Sequence, residues 1–413
     1  MLLLSAMLAI CLQSGEAPLD TLTLKGGKEL RGIILYVDDK SVILGQKTTE
    51  RQIKRVSVVK MEGPRAMFST YKEHLQLVYS ARATAEQAIA LAEWCSAQGY
   101  PRDIKLHYWR ALELDAENRE AHIQLGHREQ SGAWTVPTGK GSWVSLERLE
   151  ERKQKDQEPW EFTTAHFELN AVTTLHDALR TAASLEIYYF HFFQMLQTMG
   201  GFYELRKPME VWIYQDIESG YPSIGSGIQG YFDVGSGITH TWLEKGELKN
   251  GVRILTHALQ YKAVQERSKG EPSDYPGWLW EGLATYFESS YLPTDGVPDY
   301  LPERLHGGWV HAHASGEKKK LRELDDMLVF DRNAMGDAKD TQLLYAQAYT
   351  LVYFLLHSED LSTLQSFKEY LHYAFRNQGS GSKFRKAFGK SQRKALQKKW
   401  SDFVEKSDLR LRQ

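Results

Sequence analysis

Pro276-Gly277-Trp278-Leu279-Trp280-Glu281-Gly282-Leu283-Ala284-Thr285-Tyr286-Phe287-Glu288 and, earlier in the chain, Gly251-Val252-Arg253-Ile254-Leu255-Thr256-His257-Ala258-Leu259 hold the most specific text in this sequence. The first reads as a helix over Leu279–Glu288 that is apolar at Leu279, Leu283 and Phe287 yet carries Glu281. A carboxylate on such a helix is expensive to bury without a counter-charge. The second reads as a helix from Val252 to Val264, and a four-residue spacing sets Arg253 and His257 on one face.

Around these helices the pattern is α+β. Glu161–Asn170 alternates like a strand, Asp177–Leu196 is a long helix, and Met209–Tyr214 is a second strand. Gln229–Val234 and Ile238–Trp242 read as edge strands, and the chain is helical after Leu321. A sheet followed by helices is the α+β order. Upstream, residues 18–64 form a small β-barrel-like module. Leu22/Leu24, Ile34, Val42/Leu44 and Val56/Val58 alternate with polar neighbours, and about five short strands would make an SH3-like barrel. Residues 65–135 switch to a helical period, with a capping box at Thr84 and Gln87 and a stop at Gly99-Tyr100-Pro101. Within them, Tyr108–Asp115 and Ala121–Gly126 resemble one tetratricopeptide-like helical pair without a second copy, so this is an arm and not a solenoid. Residues 136–159 read as a linker, in which the charged stretch Glu147–Glu158 is linker or exposed helix.

Composition bounds the rest. Lys and Arg number 51 against 53 Asp and Glu, a net charge of −2, so no global field recruits nucleic acid. At about 150 residues per domain the length suggests two to three domains. An apolar fraction of 42% rules out a mainly disordered chain. Cys11 and Cys95 alone exclude a disulfide scaffold or a cysteine zinc finger. No apolar run is long enough for a transmembrane segment. Leu2–Leu12 matches the apolar core of a signal peptide, with small residues by Ala17, so residues 1–17 imply export to the periplasm or outside, although no cation precedes the run.

The two helices resemble those of gluzincin metallopeptidases, and most closely the exported, peptidase-MA-like bacterial family of unknown function. The resemblance covers about residues 160–408 and implies a zincin-like (gluzincin) domain with a mixed sheet and a helical C-terminal half, preceded by the SH3-like module and the TPR-like segment. Such peptidases place two histidines at i and i+4, a base glutamate beside the first, and a further glutamate on a following helix. On that register Glu281 holds the downstream ligand's place, His257 the second histidine's, Arg253 the first histidine's and Ile254 the base's. A guanidinium has no lone pair to give a metal, and isoleucine takes no proton from water. Sliding the register makes Ala258 the base and Tyr261 a ligand, so the motif fails either way.

The expectation is that Arg253 stands in for the lost cation and forms a forked salt bridge with Glu281, with charged atoms within about 4 Å. Tyr345 lies where related enzymes offer a tyrosine to the intermediate, or packs in the core. Asp325 and Asp326 wall the cleft on this reading. The function that follows is an exported, inactive metallopeptidase-like protein that binds an extended peptide or a protein partner, with no cofactor. Gly230, Tyr231, Phe232 and Asp233 on the edge strand are the candidate binding residues, by strand addition. One alternative is an active zinc peptidase in which His240, His306 or the His311/His313 pair, the latter read as a polar loop, joins His257 and Glu281 as metal ligands. Another is a scaffold with a closed, inert cleft.

Gly225-Ser226-Gly227-Ile228-Gln229-Gly230 spells a dinucleotide fingerprint, but a strand and turn follow it where the mechanism needs a helix. No Gly-x-Ser-x-Gly elbow, phosphate-binding Gly-Lys-Ser/Thr loop or Cys-x-x-Cys pair occurs. Lys383 to Lys399 carries eight Lys or Arg and no acid, interleaved with Phe384, Phe388 and Leu396. This reads as a basic amphipathic helix, a solvated face or a weak contact to an anionic surface.

Overall fold

In the computed structural model the described residues are 19–46, 49–138, 141–199, 201–216, 230–249, 251–268, 270–317, 320–330 and 340–411. The expected signal segment, and the dinucleotide-like stretch up to Gly230, lie outside them. The architecture is mixed α+β. The chain divides into two compact units: one holds residues up to His191 with 205–251 and 293–299, the other holds 192–204, 252–292 and 300 onward.

The first unit opens with five antiparallel strands, β1 (Asp20–Leu24), β2 (Glu29–Val37), β3 (Ser41–Gln46), β4 (Thr49–Lys54) and β5 (Val58–Glu62), in the order β4-β3-β2-β1-β5. Leu22, Leu30, Ile34, Val42, Leu44, Ile53 and Val58 form its core. Val56 does not take an inward strand position. It sits in the short 3-10 turn Arg55–Ser57 and is exposed. The buried Asp20 carboxylate accepts the Ile34 and Arg65 backbone N–H groups, both at 2.9 Å, and so ties the sheet to the helix that follows. Gly63 makes that junction possible. Its φ is 112°, and a Cβ there would come within 2.9 Å of the Asp20 Cα.

Helices α1 (Pro64–Val78), α2 (Ala85–Gln98), α3 (Ile104–Leu114) and α4 (Arg119–Gln124) follow. Pro64 starts α1, the Thr84/Gln87 capping box starts α2, and Gly99 at φ 84° ends it. Helical structure stops earlier than its period suggested. Residues 128–144 form three short antiparallel strands, β6 (Arg128–Gln130), β7 (Ala133–Pro137) and β8 (Trp143–Val144). The expected linker is therefore structured, and its charged stretch is a capped helix, α5 (Leu146–Asp156).

The stretch Glu161–Asn170 is two strands, not one: β9 (Trp160–Thr163) and β10 (Phe167–Val172) pair antiparallel across a turn. With β11 (Met209–Tyr214), β12 (Gly230–Asp233) and β13 (Ile238–Trp242) they form a mixed sheet in the order β12-β13-β11-β10-β9. β10 runs parallel to β11, and β11 parallel to β13, whereas the outer strands are antiparallel. Phe167, Leu169, Ala171, Met209, Val211 and Ile213 supply the buried face. Helix α6 (Leu175–Met199) brings Tyr189 edge-on to Phe167, and its buried Glu186 accepts from both the backbone N–H and the ring of His166.

The second unit is helical: α7 (Gly251–Ser268), α8 (Gly277–Ser290), α9 (Gly307–Ala314), α10 (Leu324–Met327), α11 (Thr341–Leu356), α12 (Leu361–Ala374), α13 (Gly381–Ala387) and α14 (Lys390–Leu411). Gly282 sets a close crossing. A Cβ at this position would lie 2.5 Å from the Val352 side chain and 2.7 Å from the Ala348 carbonyl oxygen, so α8 and α11 meet backbone to backbone. Trp278 stacks on Tyr370 and meets Phe384 edge-on to fill the space beside that crossing.

Candidate functional site

Arg253, Glu281, His257 and Tyr345 converge, drawn from α7, α8 and α11. Arg253 Nη2 donates to Glu281 Oε2 at 2.7 Å. The same carboxylate oxygen lies 3.4 Å from His257 Nε2. The guanidinium lies over the Tyr345 ring, 4.4 Å from its centroid, which adds a cation–π contact. Ile254 is half-buried on α7 and contributes no polar group.

The salt bridge is not the expected fork on one carboxylate. The second arm, Arg253 Nη1, makes a long 3.5 Å contact to Glu288 Oε2 instead. Glu288 lies seven residues after Glu281 and so on the same face of α8, a spacing legible in the sequence but not used. Trp280 was also missed. Its ring stacks on His257 at 4.8 Å between centroids and 13° between planes.

The electrostatics follow from burial and charge. Burial alone would raise the Glu281 carboxyl, but His257 and Arg253 beside it hold it at about 2. Burial disfavours the Arg253 charge, yet Glu281 and Glu288 reverse the balance and leave its pKa raised. Burial and the Glu281 charge push the Tyr345 phenol up, so it keeps its proton at neutral pH.

Would this arrangement hold a zinc ion? The 3.4 Å from His257 Nε2 to Glu281 Oε2 matches the edge of a tetrahedral zinc site with bonds near 2.0–2.1 Å, about 3.3 Å. The rest does not fit. A permanent cation already sits 2.7 Å from the carboxylate oxygen and repels a second. A ligating histidine donates its other N–H to an outer partner, whereas the buried His257 Nδ1 has no hydrogen-bond partner among the described residues. Among those residues no three His, Cys, Asp or Glu side chains converge as a ligand set.

The histidines considered as outside ligands are engaged elsewhere. His240 lies on β13, stacked on Tyr231. His306 Nδ1 accepts the Trp309 N–H as the cap of α9. His311 and His313 lie on α9 itself and not on a loop. His311 meets Asp408 at 3.1 Å, and the buried His313 bonds Thr350 at 2.8 Å and packs on Trp400. Asp325 pairs with Arg393 at 3.4 Å, away from Arg253 and Glu281 in its contacts. Gly230, Tyr231, Phe232 and Asp233 form β12, the outermost strand of the described mixed sheet, with Tyr231 opposite His240.

No protein-family model matches this chain, and no curated protein matches it. Among the described residues no helix is long and apolar enough to cross a membrane.

Proposed function

We propose that this is an exported, non-hydrolytic protein on a zincin-like (gluzincin) scaffold that binds an extended peptide or a protein partner, with an SH3-like β module and a TPR-like arm presenting it. One observation carries the reading: Arg253 Nη2 sits 2.7 Å from a Glu281 oxygen that keeps zinc-like spacing to His257. The guanidinium supplies the positive charge that a divalent ion supplies in a peptidase, and holds α7 to α8 with no metal. It polarises no water, and Ile254 offers no base. The peptide is read along β12, whose Gly230–Asp233 backbone ends the described sheet.

Metal analysis of the purified chain tests the first half. The wild type is expected to carry no zinc, while Arg253→His with Ile254→Glu gains about one equivalent that His257→Ala removes. Stoichiometric zinc in the wild type, lost with His257→Ala, would return the protein to the peptidases. A peptide array tests the second half. Binding is expected to weaken in a Tyr231→Ala/Phe232→Ala variant, which strips the two part-buried rings from β12 without changing its backbone conformation. Peptide binding that this variant leaves untouched rules out β12 as the docking strand.

A further inference from the structure

We infer that the basic face at the start of α14 is a docking surface for an anionic lipid membrane. The stretch Lys383–Lys399 is not one amphipathic helix. It is α13 and the first turns of α14, broken at Phe388-Gly389. Phe384, Phe388 and Leu396 are buried in the protein, so only the cationic side reaches solvent. Lys390, Lys394 and Lys398 recur every four residues, are exposed, and make no ion pair among the described residues. The first turn of α14 has no acidic residue although it carries Lys390 and Arg393, so the cations crowd the positive end of the helix dipole. That arrangement opposes folding and favours an external anion.

Among the described residues carboxylates pair with these cations at two sides, and Glu323 shares with Asp325 the depression beside Lys390 and Lys394. Asp325 takes Arg393 at 3.4 Å and Arg385 at 3.9 Å, and Asp360 takes Lys399 at 2.7 Å. At those two sides the surface turns aliphatic: Val329, one turn past Asp325, is 67% exposed, and Leu361, next to Asp360, is 79% exposed. A row of cations flanked by bare aliphatic side chains fits a lipid surface, where the lysines meet headgroups and the aliphatics reach the acyl boundary. Nucleic acid has no use for the aliphatic flanks.

The test is sedimentation of the full chain with vesicles of phosphatidylglycerol and phosphatidylcholine, beside vesicles of phosphatidylcholine alone. Binding is expected only to the anionic vesicles and is lost as salt shortens the screening length. The triple variant K390E/K394E/K398E should bind at least about a hundredfold less, roughly fivefold for each cation lost and more from the acids added. Of the three, the acid at 390 lies in the first turn of α14, where it suits the helix dipole, and circular dichroism checks that the variant keeps its fold. Val329→Ser with Leu361→Ser should weaken binding while leaving its salt dependence. Equal binding to neutral vesicles, unchanged binding by the folded triple variant, or binding to duplex DNA with none to anionic vesicles would each overturn the inference.

Discussion

Arg253 and Glu281 are each other's reason for being inside. Breaking a buried pair leaves one uncompensated charge, which typically costs 3–5 kcal/mol, whereas replacing both partners with apolar groups is often near neutral. Arg253 keeps some access to water and Glu288 as a second partner, so Arg253→Leu is expected to destabilise by about 2–4 kcal/mol. Arg253→Leu with Glu281→Leu should recover most of that loss, as read from urea midpoints at constant slope. A double variant as unstable as the single one would show that the pair is not what holds these helices. Ile254 fits the same account. An apolar side chain beside the pair neither disturbs it nor moves a proton.

Among elements, the contact between α8 and α11 controls the site. Tyr345 can lie over the Arg253 guanidinium because Gly282 lets α11 approach α8 without an intervening side chain. Gly282→Ala therefore forces the Ala348 backbone to move, and overpacking of this kind costs about 1–3 kcal/mol. The expected result is a lower urea midpoint together with weaker coupling between Arg253 and Tyr345 in a double-mutant cycle. A helix-favouring substitution that stabilised the protein instead would mean that the two helices are not locked at this point. Thr84→Ala belongs to the same scale. It removes the hydroxyl that accepts the Gln87 N–H, leaving the bond from the residue-84 N–H to the Gln87 side chain, and should cost about 1 kcal/mol without touching the site.

For the whole molecule, acid is the revealing perturbation. Burial lowers His107 to about 3, and lowers His127 and His313 to about 4. These histidines are neutral when folded, so below about pH 6.5 the unfolded chain takes protons first and stability falls down to about pH 4. Glu281 acts at lower pH. Its folded value near 2 lies below the ordinary 4.5, so its contribution of about 3 kcal/mol is complete above pH 4.5 and is lost as pH falls towards 2. The melting temperature is expected to drop steadily from pH 7 to 4 and to keep dropping below. In His313→Asn, which cannot titrate, the first part of that slope should be shallower. An unchanged slope would remove His313 from the account.

Much of this was legible in the residues. Period two marked β11 and the alternating core of β1 to β3, the capping box and Gly99 bounded α2, and the apolar spacing around Glu281 announced a buried carboxylate in need of a cation. These are local properties, set by side-chain period and by a few residues with distinctive hydrogen-bonding or dihedral behaviour. The sequence did not show that β9 and β10 are a hairpin, that His311 and His313 belong to a helix, or that 128–144 forms strands. Pairing and burial there depend on partners far along the chain. The site divides in the same way. The sequence alone determined that residues 253 and 254 cannot ligate a metal or activate water, because that is the chemistry of a guanidinium and an alkyl group. Only the tertiary structure decided that the guanidinium is shared between Glu281 and Glu288 beneath Tyr345, because which charges meet depends on how closely three helices approach.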